Sequence, residues 1–184
     1  MNIFYLHNDQ PTCAKWHNDK HCVKMILEYA QLMSTAHRFL DGEEYTALSA
    51  GNRKLKRYKL PDAREETLYK ASHINHPSAI WLRKAAANYT WLHTLFLELC
   101  DEYTYRYGKT HLSDTKFRTL LKSPPNNIPK DVEFTEPTPA MPEDCVVAGD
   151  SIASYRKYYF EQKGHLDAWK KRERPSFYEE FHVH

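Results

Sequence analysis

One stretch of the chain, residues 17–38, reads HNDKHCVKMILEYAQLMSTAHR and predicts a long helix that decides the fold. At about 100° per residue, apolar side chains such as Met25, Ile26 and Leu32 cover most of this helix. Its polar side chains share one narrow band, which we call the polar stripe: His17, His21, Lys24, Glu28, Gln31, Thr35 and Arg38. Titratable groups between apolar flanks are costly to bury unless they are paired or used, so the polar stripe predicts the floor of a site.

The polar stripe also has an ordinary interpretation as one exposed edge of a helix. Lys24 and Glu28 are four residues apart, a spacing at which side chains form surface ion pairs. Two histidines and a glutamate in a short row are, however, more typical of proton transfer or metal ligation. We therefore carry both interpretations forward and favour the site.

Length and composition predict one folded domain over residues 1–184. Hydrophobic residues make up 41% of the chain and aromatic residues 14%, with an unusual thirteen tyrosines. The net charge of +2 is far from that of a non-specific DNA-binding tail. The four cysteines lack the spacing of a disulfide framework or zinc ribbon, and no signal peptide or membrane-spanning run is present. These features predict a soluble, cytoplasmic protein with free thiols and no membrane partner.

The remaining patterns predict further helices and no strand, so the expected class is all-α. The first helix should begin near Pro11 and Thr12 and stop at Gly42. Later helices are predicted over 78–87, 89–107 with Asn88 as N-cap, 113–122, 150–163 and 165–172. Residues 43–60 are ambiguous, and residues 3–6 should pack into the fold. Residues 123–148 hold six of the ten prolines and predict a long irregular crossing segment.

Several cations could contact nucleic-acid phosphates. Five of them lie within residues 53–59, where a solvated loop and a phosphate-binding loop are equally good interpretations. The last helix adds a basic face that suits phosphate or solvent. The candidate DNA-binding residues are Arg53, Lys54, Lys56, Arg57, Arg83, Lys84, Arg106, Lys109 and Arg156.

Three chemistries compete for the polar stripe. His17 and His21 could ligate one metal ion in a hydrolase, although Glu28 lies about 10 Å further along the helix axis and other ligands would be needed. Cys22 points toward the apolar side, which predicts an inert buried thiol. In the third chemistry Glu28, beside His21 and Lys24, moves protons for a reaction at a base or sugar.

Three groups of residues follow one another along the chain in a characteristic order. They are Asp19-Lys20-His21 with Glu28 seven residues after the histidine, the helix 89–107 with Glu102, Arg106, Tyr107 and Gly108 at its end, and Ile152-Ala153 followed by Arg174-Pro175-Ser176-Phe177-Tyr178. Together they resemble the phage endonuclease V-type pyrimidine dimer DNA glycosylases. The resemblance runs through most of the chain.

The resemblance implies a compact, mostly helical domain whose N-terminal segment is threaded between helices. It implies an N-glycosylase that acts on damaged or modified duplex DNA as a monomer, without a metal or organic cofactor. In this family the N-terminal amine attacks the sugar, forms a Schiff base and then breaks the strand by β-elimination. Carried over, the catalytic residues are Met1, Glu28 and His21, and the substrate-binding residues are His17, Lys24, Gln31, Thr35 and Arg38.

Two features depart from the family pattern. A bulky second residue, Asn2, leaves Met1 in place, whereas the family nucleophile is a small residue exposed by removal of methionine. Leu27 and Gln31 stand where the family has arginines. These departures leave open a repurposed member that acts in DNA base or nucleotide modification, or a non-catalytic protein that binds DNA or a partner.

Overall fold

The computed structural model describes residues 1–182, of which helices form the larger part. About 52% of the chain is helical, and the sheet is limited to two strands. The elements are α1 (Gln10–Trp16), α2 (Asp19–Asp41), β1 (Glu43–Leu48), β2 (Lys54–Lys59), α3 (Arg64–Thr67), α4 (Pro77–Arg83), α5 (Ala86–Tyr107), α6 (Leu112–Phe117) and α7 (Ser151–Lys163). Single 3-10 turns cover Glu143–Cys145, Gly164–Leu166 and Ser176–Phe181. The fold is therefore mostly helical.

A β-hairpin within the ambiguous segment 43–60 corrects the all-α prediction. Strands β1 and β2 pair antiparallel, with Glu43 opposite Lys59 and Leu48 opposite Lys54. Most of its side chains are exposed, so the alternation of buried and exposed residues that marks a strand is nearly absent from the sequence. The hairpin leaves α2 at Gly42, where a Cβ would lie 2.5 Å from the carbonyl oxygen of Arg38.

The predicted first helix is divided in two at His17 and Asn18. The Asp9 side chain caps α1, and the Asn18 side chain accepts a hydrogen bond from the backbone N–H of His21 to begin α2. An N-cap residue has non-helical backbone geometry, so it interrupts the helical run at this point. His17 consequently lies outside α2, and the polar stripe begins at His21.

Helix boundaries elsewhere follow the glycines more closely than the predicted caps. Helix α5 ends at Gly108, whose φ of +67° is the left-handed geometry that glycine adopts at helix C-termini. Asn88 lies inside α5, where its side chain bonds the carbonyl oxygen of Trp81. His111 caps α6 through its ring nitrogen, two residues before the predicted cap Ser113, and the helix ends at Phe117 although it was predicted to reach residue 122. Helix α7 has the predicted extent, whereas 165–172 holds only the end of a 3-10 turn.

The core forms around α2, α5 and the N-terminal segment. Residues Ile3–Leu6 are buried although they belong to no helix or strand. The Phe4 ring stacks on the His21 ring at 4.1 Å, and the Tyr5 ring meets Trp91 edge-on at 5.1 Å. This packing brings the first residues of the chain against α2. None of the helices in residues 1–182 is long and apolar enough to span a bilayer.

Candidate active site

A chain of buried hydrogen bonds fixes the N-terminal segment against α2. The backbone N–H of Phe4 donates to the Tyr29 hydroxyl at 3.2 Å, and that hydroxyl lies 2.8 Å from His17 Nε2. His17 Nδ1 lies 2.7 Å from the carbonyl oxygen of Cys13, which can only accept, so Nδ1 carries the proton and Nε2 accepts from Tyr29. Burial lowers the pKa of His17 to about 4, which keeps the ring neutral.

His17 therefore has no ring nitrogen left for a substrate or a metal ion. We predicted His17 as a substrate-binding residue, but its side chain is fully buried and both of its ring nitrogens are hydrogen-bonded within the protein. The same geometry removes the basis for a metal site made from His17 and His21. In the described residues, one cluster has metal-ligand spacing, and it consists of Asp144, Cys145 and Glu161.

A second set of hydrogen bonds, which we call the Asn2 clamp, fixes the side chain of Asn2. Its Nδ2 donates to the carbonyl oxygen of Ala140 at 2.8 Å, and the Tyr155 hydroxyl lies 2.9 Å from its Oδ1. Ala140 belongs to the Pro-rich segment and Tyr155 to α7, so two distant parts of the chain grip the second residue. These hydrogen bonds fix the side chain of the residue that follows Met1.

The amine of Met1 lies beside the carboxylate of Glu28. The nitrogen is 3.7 Å from Glu28 Oε2, and Lys24 Nζ is 3.3 Å from Oε1. The Glu28 side chain is 13% exposed, while that of Lys24 is 58% exposed. Both groups border a cavity of about 230 Å³ that is also lined by Asn2, Phe4, His21, Met25, Ala140, Tyr158 and Lys163.

The hydrogen-bond partners of His21 determine which of its ring nitrogens carries the proton. Its Nδ1 lies 2.6 Å from the Tyr159 hydroxyl, which accepts the backbone N–H of Asn18 at 3.2 Å. Tyr159 is fully buried and has no other acceptor among the described residues, so its O–H donates to Nδ1. His21 is then left with a proton on Nε2. Burial, aided by His17 and Lys163, lowers its pKa to about 3, so the ring is a neutral donor at pH 7.

Positive charge surrounds the single carboxylate of the cavity. The Met1 amine, Lys24 and Lys163 all line it, and Lys163 Nζ lies 4.9 Å from the Tyr158 ring centroid. An amine, one carboxylate and several cations together suit an anionic substrate that reacts with a nucleophilic amine.

The C-terminal end of the polar stripe lies away from the cavity. Gln31 is half-buried and does not line it, and the Thr35 hydroxyl bonds the backbone of Ser72. Neither residue lines the cavity beside Glu28. Their substrate-binding roles remain predictions that the geometry does not support.

Arg38, also predicted to bind substrate, is a buried structural anchor. Its side chain is 0% exposed and makes an ion pair with Glu65. It also donates to the carbonyl oxygens of Tyr58, Glu65, Leu68 and Tyr69. These bonds use all five donors of the guanidinium, so none remains for a phosphate.

Arg106, predicted to bind DNA, lies inside the fold as well. Its guanidinium bonds Glu102 at 2.8 Å and Asp19 at 3.0 Å, as well as the carbonyl oxygens of His17 and Lys15. Although burial raises it, hydrogen bonds from Arg172 and Arg106 lower the pKa of Glu102 overall, so the carboxylate stays charged. Arg106 therefore ties α5 to the turn between α1 and α2.

The other candidate DNA-binding residues divide by exposure. Arg57, Arg83 and Arg156 are half-buried, and each donates to a backbone carbonyl, of Ala71, Ile74 and Leu6 respectively. The exposed ones are Arg53, Lys54, Lys56, Lys84 and Lys109. Lys56 pairs with Glu44, and exposure leaves the other four free to meet a phosphate.

A larger groove of about 600 Å³ adjoins the cavity across Lys24. It is lined by Asp19, Val23, Tyr107 and Leu166 among others. Its acidic groups are engaged, since Asp19 bonds Arg106 and Asp167 accepts from Tyr178. The smaller cavity is the better reaction site because it alone combines the amine with a carboxylate.

Sequence patterns did not indicate Asn2, Tyr155 and Tyr159 as site residues. Each contributes through a hydrogen bond across more than 130 residues. The high tyrosine content was the one available signal. None of the protein families, curated proteins or solved structures compared with this chain matches it.

Proposed function

We propose that this protein is a DNA base-excision enzyme, an N-glycosylase that acts on a damaged or modified base, with AP-lyase activity as a second step. The observation that carries the proposal is the 3.7 Å separation between the Met1 amine and Glu28 at the edge of a cavity. The volume of about 230 Å³ lies below the roughly 300–1,000 Å³ typical of sites for drug-sized ligands. It therefore favours one extruded nucleotide over a larger ligand.

The proposed reaction uses the amine as nucleophile. The unprotonated nitrogen of Met1 attacks C1′ of the sugar. The glycosidic bond between C1′ and the base breaks, and its electron pair leaves on the base, which takes up a proton. The C1′–O4′ bond then breaks with its electron pair leaving on O4′, which takes up a proton, and the nitrogen lone pair forms the C=N bond of a Schiff base with C1′. Loss of a C2′ proton then expels the 3′-phosphate and breaks the strand.

Glu28 and His21 have separate roles in this proposal. The Glu28 carboxylate stabilises the positive charge that develops on the sugar and carries protons to and from the amine. His21 is neutral with a proton on Nε2, so it donates a hydrogen bond to an oxygen or nitrogen of the substrate. Lys24 and Lys163 attract the flanking phosphates.

Reductive trapping tests the proposal directly. The protein, with Met1 verified as its first residue by mass, is mixed with duplex DNA containing one abasic site and reduced with borohydride. We expect a covalent adduct that peptide mapping locates on Met1. Since Lys24 and Lys163 line the same cavity, an adduct on either lysine would contradict the assignment of the nucleophile.

Base excision is then measured on ultraviolet-irradiated duplex DNA. Glu28→Gln should slow base release at least about a hundredfold, whereas Glu173→Gln, an exposed glutamate outside the cavity, should leave it unchanged. An extension of two residues before Met1 should abolish both trapping and release. Tight DNA binding without any adduct or released base would replace this proposal with a non-catalytic binding function.

A further inference from the structure

The β1–β2 hairpin projects from the fold with little support from the core. It forms a two-stranded sheet, and Tyr58 is the one buried side chain within residues 43–59. The Tyr58 ring packs against Phe39 at 5.4 Å, at the base of the hairpin. An isolated two-stranded hairpin is only marginally stable in water, so packing does not explain an exposed ribbon of this length.

The hairpin holds the positive charge of the whole chain. Five cations and two carboxylates within residues 43–59 give it a net charge of +3, while the chain as a whole carries +2. The rest of the chain is therefore slightly negative, at −1. Lys56 pairs with Glu44, but Arg53, Lys54 and Lys59 form no ion pair with any residue of 1–182. An unneutralised ribbon favours a polyanionic partner.

The backbone of residues 71–72 connects the hairpin to α2. Arg57 donates to the carbonyl oxygen of Ala71 at 2.8 Å, next to the Ser72 backbone that bonds Thr35 of α2. Residues 71–72 therefore tie the hairpin to α2, the helix that carries Glu28.

The spacing of the two features is that of a short length of duplex. Glu28 lies fourteen residues before Gly42, the C-cap of α2 at which the hairpin begins. At 1.5 Å per residue this corresponds to about 20 Å along the helix axis. Paired bases rise about 3.4 Å each, so this distance spans about six base pairs. A two-stranded ribbon also fits the major groove of B-DNA, which is about 12 Å wide.

We propose that the β1–β2 hairpin is a duplex-binding arm that contacts phosphates about six base pairs from the nucleotide held at the Met1–Glu28 cavity. The position of the nucleotide rests on the proposed function, whereas the contact between hairpin and DNA does not. The fixed distance between the hairpin and the cavity favours a rigid duplex as the partner over single-stranded RNA or a membrane. In a duplex, the phosphates keep a constant distance from the nucleotide at the cavity.

The test compares two variants that lose the same charge. One is Arg53→Gln/Lys54→Gln/Lys59→Gln on the hairpin, and the other is Lys116→Gln/Lys122→Gln/Lys130→Gln, three exposed lysines elsewhere. Binding is measured by fluorescence anisotropy over a salt series. One 21-base-pair duplex carries a stable abasic analogue at its centre, and two others carry it three pairs from either end.

We expect the hairpin variant to bind the central duplex about tenfold more weakly and to lower the salt slope by about 2 to 3, as for three lost phosphate contacts. Its loss should disappear on one of the end-placed duplexes, which lacks DNA on the hairpin side. Equal losses in both variants would overturn the proposal, as would tighter binding to single-stranded RNA or anionic vesicles. A hairpin effect without a trapped adduct would reject the amine chemistry and retain the arm.

Discussion

The polar stripe on α2 carries a charged side chain toward each of its ends, but one lies beside a cavity and the other is fully enclosed by protein. Near the N-terminal end, Glu28 meets the Met1 amine and Lys24 at the edge of a cavity. Near the C-terminal end, Arg38 is fully buried, and Glu65 together with backbone carbonyls occupies every one of its donors. The same sequence pattern thus produces a candidate site at one end and a structural anchor at the other.

The difference shows what converts a polar side chain into a site. A buried charge is tolerated when protein groups satisfy it completely, and it then contributes to the fold alone. At Glu28 the fold supplies a free amine and a lysine whose head is in solvent, and open volume remains beside them. Unused bonding capacity next to a cavity therefore distinguishes the site from the anchor.

The largest expected effect comes from removing the anchor. Arg38→Met leaves the Glu65 carboxylate and four carbonyl oxygens without their donor, which should lower the free energy of unfolding by about 3–5 kcal/mol. Denaturant unfolding followed by circular dichroism measures this loss. Lys24→Met is the matched change at the other end, and because Lys24 is 58% exposed we expect a change within about 0.5 kcal/mol.

These two variants test whether the two ends of the polar stripe differ in function. If Arg38→Met leaves stability intact but weakens DNA binding, Arg38 is a ligand contact and the two ends are alike. If both variants destabilise the protein equally, burial does not separate the two ends.

The fold could be predicted where the signal was local. The apolar arc of α2 is buried at Cys22, Met25 and Ile26, and Gly108 ends α5 as expected. The hairpin was not predicted because β1 is almost entirely exposed and the short alternation in β2 has the polar Arg57 at one of its inward positions. The division at Asn18 was missed because the apolar periodicity continues across the cap.

The site could be predicted only in its local part. Glu28 and His21 follow from spacing within one helix, and the resemblance drew attention to the N-terminal amine. The partner of Arg38 lies 27 residues further along the chain, and the tyrosine that orients His21 lies 138 residues away. Such pairings depend on tertiary packing, for which one sequence carries no periodic signal.

The next effect concerns the neutral histidines that hold the N-terminal end together. Burial lowers the pKa of His17 to about 4 and that of His21 to about 3, from an ordinary value of 6.5. Below about pH 6.5 the unfolded chain binds protons that the folded chain does not, so acid lowers the free energy of unfolding. Each histidine should contribute a slope approaching about 1.4 kcal/mol per pH unit between pH 6 and 5.

Denaturant unfolding at pH 7, 6 and 5 measures this slope. His21→Gln keeps an acceptor for the Tyr159 hydroxyl and removes one titrating group, so its slope should be smaller by about one proton. A slope identical to that of the unchanged protein would mean that His21 is charged in the fold. The neutral donor role proposed for it would then be wrong.

The smallest expected effect tests whether the fold holds the amine in place. Tyr155→Phe removes the buried hydroxyl that bonds Asn2 Oδ1 and also the backbone of Thr138 and Ala140, which should cost about 1–2 kcal/mol of stability. The rate of trapping on abasic DNA should fall about tenfold, because a displacement near 1 Å can cost up to about a hundredfold in rate. Tyr105→Phe, an exposed tyrosine on α5, is the matched control and should change neither quantity.

The two readouts separate positioning of the amine from general loosening of the fold. A destabilisation near 1 kcal/mol leaves almost all of the protein folded at 25 °C, so it cannot by itself reduce the trapping rate tenfold. A slower rate at saturating DNA, with unchanged affinity, therefore indicates a misplaced amine. An unchanged rate would show that Met1 needs no clamp, and that Glu28 alone fixes the nitrogen 3.7 Å from its carboxylate.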